Sequence, residues 1–185
     1  MACALTSFPC SRTSQRSARV RRARANGRVG IPALEFGGDL VIVLVSKDGD
    51  TLTWVDQSVC DALPPDAFPR AVDNLRARTL SPLRLTRCSS PKVGVWVVGE
   101  DDGLGSGRLL LGDLWRPVKA KMPGDLLVHM PTRSTVLCCM NRQDDRVFAD
   151  HLAEQLTQTA HKTNAPTVSS EWLMWTPEGW ASTQP

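Results

Sequence analysis

The sequence predicts an α+β domain, a mainly antiparallel sheet built from hairpins with three helices packed on it. Apolar, β-branched runs come in pairs joined by turn residues, and single stretches with helical spacing separate the pairs. The length of 185 residues suits one domain with a moderate core.

The first pair is Leu40-Val41-Ile42-Val43-Leu44-Val45 and Thr51-Leu52-Thr53-Trp54-Val55, with an Asp48-Gly49 turn between them. Pro64-Pro65-Asp66 then opens a helix whose Phe68, Ala71, Val72 and Leu75 recur at three- and four-residue steps. Pro69 belongs in its first turn, where a missing N–H costs little. Pro82 stops that helix, and Leu83-Arg84-Leu85 is read as a short strand. Val93 to Val98 is a second strand, rich in valine and carrying Trp96. Leu109, Leu110, Leu111, Leu114 and Trp115 are expected in a short helix ended by Pro117. A second hairpin follows, Asp125–Met130 with Ser134–Met140 around the turn Pro131-Thr132-Arg133. Asp144-Asp145 caps a helix with an apolar stripe of Val147, Phe148, Leu152, Leu156 and Ala160. Glu171 to Trp180 reads as a last strand with three tryptophans and a Pro-Glu-Gly turn.

Charge is uneven. Residues 1–30 hold seven arginines and no acid, leaving 15 basic and 19 acidic groups in the other 155 residues, a net of −4. The basic segment has no apolar core of a secretory signal but has the Arg- and Ser-rich, acid-poor make-up of a transit peptide. The expected organisation is therefore a disordered leader over 1–30, one domain over 31–180 and a tail over 181–185. The expected address is a plastid, or else a mitochondrion, and the cytoplasm if the leader is retained. The rival reading is a basic arm that holds nucleic acid through Arg21, Arg22 and Arg24. No aromatic residue lies between Phe8 and Phe36 to stack on bases, and once the leader is removed nucleic acid is not an expected partner. No apolar run approaches the roughly 20 residues that span a bilayer, so a soluble protein with no membrane partner is expected.

Four cysteines lie beyond the leader, Cys60, Cys88, Cys138 and Cys139, without the Cys-x-x-Cys spacing of a zinc site or redox pair. Cys138 and Cys139 are adjacent in an expected strand, which sends their side chains to opposite faces as buried small hydrophobes. His129 stands mid-strand and His151 and His161 are ten apart on a helix, which is no metal clip. Counting outward from the turn sets His129 opposite Thr135, too far from the cysteines for a Cys–His pair.

The loop Gly103-Leu104-Gly105-Ser106-Gly107-Arg108 sits between an expected strand and helix, where backbone N–H groups hold phosphates. It lacks the lysine of a Walker loop, and Glu100-Asp101-Asp102 just upstream repels anions. The plainer reading is a tight turn with Ser106 as N-cap. Carboxylates at 100–102 suit a hard cation only with a second acidic cluster nearby, so they read as a solvated turn. Arg133, at the hairpin tip, carries a fork that clamps a carboxylate or phosphate, or is an exposed turn residue. Trp172, Trp175 and Trp180 are read as core.

Several short strings occur in a recognisable order. These are Thr53-Trp54-Val55-Asp56-Gln57, then Ala71-Val72-Asp73-Asn74-Leu75-Arg76, then Asp101-Asp102-Gly103 with Ser106 and Arg108-Leu109-Leu110. Gly124-Asp125-Leu126-Leu127-Val128 and Pro131-Thr132-Arg133 follow, before the apolar run from Val136. From about Asp39 to Trp180 the chain thus resembles the C-terminal two-thirds of the domain-of-unknown-function family 1444, also called uncharacterised protein family 0354. Ser134 stands where that family has aspartate, which weakens any Arg–Asp pair at the tip. The arginine leader replaces most of the family's front portion, so a shortened or incomplete member is expected, and a homo-oligomer if the missing part leaves an apolar patch. The family carries no assigned activity. The resemblance implies that the surface for a protein or small ligand is made by Asp102, Gly103, Gly105, Ser106, Gly107 and Arg108 together with Arg133.

No catalytic residue, metal site or cofactor is read. The expectation is a non-catalytic binding or accessory protein, with two alternatives. One is a phosphate-ligand protein or enzyme using Gly103–Arg108, and the other is a nucleic-acid binder through the basic arm.

Overall fold

A computed structural model describes residues 1–7, 21–25, 28–37, 40–49, 51–88, 92–98 and 102–183. The fold is α+β, with two antiparallel sheets in place of the single one expected. Four α helices and one 3-10 helix are present among the described residues, against three helices expected.

The first sheet is centred on β4 (Leu40–Asp48), a run of β-branched and leucine side chains. Its end turns at Gly49, φ +53°, into β5 (Thr51–Trp54), as the Asp-Gly pair predicts. Two further strands come from the segment expected to be a disordered leader. β1 (Ala2–Ser7) pairs antiparallel with β4, Cys3 opposite Leu44 and Leu5 opposite Ile42. β2 (Arg21–Ala25) pairs with β3 (Arg28–Gly37), which in turn pairs with β4. The disordered reading is therefore corrected for those residues. The physical reason is the demand of β4, whose peptide groups need partners along both edges. Arg12, Arg16 and Arg19 lie outside the described residues.

A one-turn helix that the periodicity missed, α1 (Gln57–Asp61), starts at Asp56, whose carboxylate accepts from the Val59 N–H at 3.0 Å. α2 (Ala67–Ala77) follows where its prolines place it, burying Ala67, Ala71 and Leu75. They meet the first sheet through Leu44, Val55, Val43 and Val45.

The second sheet has six strands in the order β11-β10-β8-β9-β7-β6. They are β6 (Leu85–Arg87), β7 (Val95–Val98), β8 (Leu126–His129), β9 (Leu137–Met140), β10 (Trp172–Thr176) and β11 (Gly179–Ser182). The last two form a hairpin where one strand was expected, and β11 takes up Ala181 and Ser182 of the expected tail. Val98, Leu126, Val128, Met130, Cys138 and Leu173 on one face pack against Trp115 and Val118 of α3 (Gly112–Lys121) and Met122 just beyond it. Pro117 lies inside α3 and does not end it, because it removes one ladder hydrogen bond while Trp115 and Val118 stay buried.

The other face, with Val95, Leu127, Cys139 and Trp172, is covered by α4 (Gln143–Lys162). The buried line of α4 is Asp145, Ala149, Ala153 and Ala160, and Val147 is 63% exposed. The expected stripe is thus rotated. Small residues bring the helix axis close to the sheet, with Phe148, Leu152 and Leu156 at the flanks. Asp144 and Asp145 lie in its first turn and the N-cap is Arg142. Asp145 accepts a 2.7 Å hydrogen bond from the buried Gly94 N–H.

Candidate functional site

The glycine loop and the hairpin tip, some thirty residues apart in sequence, meet in space. Asp102 opens the loop with an Asx turn, its Oδ1 accepting from Leu104 N at 3.0 Å. Gly103 has φ +73°, which favours glycine. Chain direction then changes sharply at Gly105, where an added Cβ would sit 2.2 Å from the Ser134 carbonyl oxygen. The 3-10 helix Ser106–Leu110 begins there. Ser106 is its first residue and not an N-cap, and its N–H donates to the Arg133 carbonyl at 2.9 Å.

Arg108 points inward. Its side chain is fully buried and forks onto Asp102, Nη1 to Oδ1 at 2.9 Å and Nη2 to Oδ2 at 2.8 Å. Burial pushes the Asp102 carboxyl up, but the Arg108 fork, the Leu104 amide and the charges of Arg108 and Lys47 outweigh it and hold it below the ordinary range. Lys47 Nζ also donates to the Asp102 carbonyl at 3.0 Å, tying the β4–β5 hairpin to the loop. Two indoles close the far side: Trp115 Nε1 donates to the Arg108 carbonyl at 2.9 Å and Trp180 Nε1 to the Leu109 carbonyl at 3.0 Å. Those indoles meet edge to face, with centroids 5.2 Å apart.

Part of the loop's donor set is already engaged inside the protein. The N–H groups of Leu104, Ser106 and Arg108 all donate to protein oxygens, and Gly105, Ser106, Gly107 and Arg108 are buried. Asp102, Gly103, Gly105, Ser106, Gly107 and Arg108 form one unit docked on the tip that carries Arg133. Glu100 and Asp101 lie outside the described residues.

Arg133 has a different setting. It is half-buried, and desolvation lowers its pKa from the ordinary guanidinium value. It pairs with no carboxylate among the described residues. Arg133 is one of the residues that line a cleft of about 290 Å³ between the tip and the last turns of α4. Thr132, Ser134 and Thr135 rim this cleft, Leu156, Ala160 and Pro166 give it apolar walls, and Arg133 is the single charged residue among its lining. The carbonyls of Thr159, Ala160 and His161 at the helix end already accept from Thr163, Asn164 and Ala165 N–H groups. The negative end of the helix is thus capped.

A larger groove of about 650 Å³ lies along another side of α4, lined by His129, Asp150, Glu154 and His161 among others. Both of its carboxylates are engaged. Asp150 Oδ1 accepts from Trp172 Nε1 at 2.7 Å, and Glu154 Oε1 from Gln158 at 3.3 Å. His129 is 5% exposed beside Trp172, with centroids 5.1 Å apart, and its Nδ1 is shut away without a partner. Burial lowers its pKa, and the charge of Arg146, stacked 4.8 Å over Trp172, adds to that, against the Ser170 backbone and Asp150.

The strand register sets His129 opposite Leu137, Val128 opposite Cys138 and Leu127 opposite Cys139. The sequence count is off by two because residues 134–136 belong to the connection. Cys138 and Cys139 are buried on opposite faces, as expected. Burial raises both thiols, that of Cys139 to about 12, so neither is an activated nucleophile near neutral pH. Among the described residues no three His, Cys, Asp or Glu side chains are grouped to hold a metal, and no helix is long and apolar enough to cross a membrane.

Sequence reasoning missed the Arg133 cleft because its second wall comes from the end of α4 and the segment at 165–166. The one available signal was an arginine in a turn between two hydroxyl residues. Set against protein families, curated proteins and solved structures, the chain matches none.

Proposed function

We propose that this chain is a non-catalytic binding or accessory protein and that it engages its ligand or partner at the hairpin tip. The observation that carries the reading is Arg133. A half-desolvated cation with no counter-charge among the described residues lowers stability, and a fold that keeps one at the mouth of a cleft gains by using it on something external. The rest of the machinery supports a binding role. Arg108 forks onto Asp102, the Ser106 amide is given to the tip and those of Leu104 and Arg108 to the loop itself, and the buried thiols are raised. A phosphate or enzymatic reading built on Gly103–Arg108 draws no support from that arrangement.

Kinship with the domain-of-unknown-function family 1444 is part of the proposal, resting on the order of the shared strings. So is delivery to a plastid, with a mitochondrion as the second choice, resting on the seven arginines without an acid. The leader is expected to be absent from the native protein, which mass spectrometry of its N-terminus reads directly.

The binding reading is tested with tagged full chain in plastid extract separated into large- and small-molecule fractions. One fraction should raise the thermal midpoint of the wild-type chain and leave Arg133→Gln unmoved. No stabilisation by either fraction would overturn it.

A further inference from the structure

The charge and shape of the Arg133 cleft go beyond a general binding role and select a class of ligand. This inference rests on the reading just given. We infer that the cleft takes a singly charged carboxylate attached to a short apolar body, held by the Arg133 fork with the body against Leu156, Ala160 and Pro166.

Charge is the first argument. Arg133 brings one positive charge and no second cation lines the cleft. A carboxylate cancels it one for one, whereas a phosphate monoester, carrying about −1.5 to −2 at neutral pH, would leave excess negative charge against half-buried walls. Lys162 and His161 belong to the exposed end of α4 and line no part of this cleft.

Geometry is the second argument. The planar guanidinium matches two carboxylate oxygens with two parallel N–H bonds, which a tetrahedral group uses less fully. The nearby hydroxyls fit the same role. Thr132 Oγ1 and Ser134 Oγ are 3.3 Å apart and share one hydrogen bond, which leaves one hydroxyl proton of the pair to donate outward. The hydroxyls of Thr159 and Thr163 donate back to helix carbonyls and supply no further donor.

Size is the third argument. A cleft of about 290 Å³ lies at the lower bound of ligand pockets, and beyond the arginine its lining divides between hydroxyl residues near the tip and helix and an apolar side of Leu156, Ala160, Ala165 and Pro166. A space of that size fits a short acid better than a sugar–phosphate body. The acid is supplied free or as the terminal carboxylate of a peptide, and the two sources share one chemistry.

The test is an NMR titration of the full chain, following the Arg133 side-chain N–H and the amides of Ser134, Thr135 and Thr163. The probes are butyrate, its neutral isostere butyramide, inorganic phosphate, and an acetylated Ala-Leu-Ala peptide with free or amidated C-terminus. Saturable shifts confined to the cleft are expected with butyrate, or with the free-terminus peptide if the natural source is a chain end. Butyramide and the amidated peptide should bind at least about tenfold more weakly, the scale of a lost charge-assisted hydrogen bond. Arg133→Gln should abolish binding, and Arg133→Lys should weaken it about tenfold through loss of the fork. Thr159→Trp, made from an exposed position on the cleft wall, should block it without touching the arginine, which keeps the test sound if Arg133→Gln misfolds.

Absence of saturable shifts with either carboxylate would overturn the inference. So would shifts that persist in both Arg133→Gln and Thr159→Trp, or phosphate binding more tightly than carboxylate. If the carboxylates fail while the extract fraction still stabilises the wild type and not Arg133→Gln, the ligand class falls and the binding role stands.

Discussion

A guanidinium shut away from water is costly unless a carboxylate meets it, and among the described residues the two arginines at the loop and tip show both outcomes. Arg108 is fully buried while its partner Asp102 has a side chain 25% exposed, so the two halves of the pair are not equivalent. Asp102→Ala removes the two-bond partner of a buried cation and should cost about 3–5 kcal/mol. Arg108→Met leaves a carboxylate that water can reach and should cost markedly less. Urea unfolding of the two variants measures the difference. Arg133→Gln, by contrast, removes a desolvated charge and should leave stability unchanged or slightly higher, read in the same experiment. The sign for His129 follows from its lowered pKa. The unfolded chain takes up the proton first, near pH 6.5, so its contribution is whole above that pH and is lost as pH falls through the folded value. Thermal midpoints should therefore fall between pH 7 and 5, and His129→Gln should flatten that slope.

Elements were legible where their signals are local. The Asp48-Gly49 turn and the proline entrance before Ala67 act within a few residues, and the hairpin and α2 stand where they were read. The face of α4 was not, because burial of Ala149 and Ala153 depends on how close the sheet lies, and alanine gives a weak hydrophobic signal. Val147→Ser at its exposed position should change stability by less than about 0.5 kcal/mol. Ala149→Leu should lose about 1–3 kcal/mol through overpacking against β7 and β9, and thermal unfolding decides between this face and the one first expected. The candidate site was legible in its members and not in its geometry. Spacing named the loop and the tip, but whether Arg108 turns inward is fixed by Asp102, Trp115 and Trp180, which only the folded chain assembles. Gly105→Ala probes their union. Its Cβ would press on backbone at Ser134, and a loss of about 2–3 kcal/mol is expected, with loss of the Ser106 N–H protection in hydrogen exchange.

Across the whole molecule, the segments that looked independent are linked. Asn74 Nδ2 donates to the Met1 carbonyl at 3.1 Å, and Arg76 of α2 pairs with Asp113 of α3. The C-terminal hairpin reaches back through Trp180 to the loop before α3. The first seven residues matter most in this respect, since they lie along Leu40–Val45 of β4. Removing residues 1–30 strips that rim of its hydrogen-bonding complement while leaving Leu44 and Val45 just behind it. Chains beginning at residue 31 should unfold at lower temperature than the full chain and should self-associate, which light scattering reports. The opening strand would then be a seal along β4, and its loss would bare a ribbon whose vacated place a second copy can take.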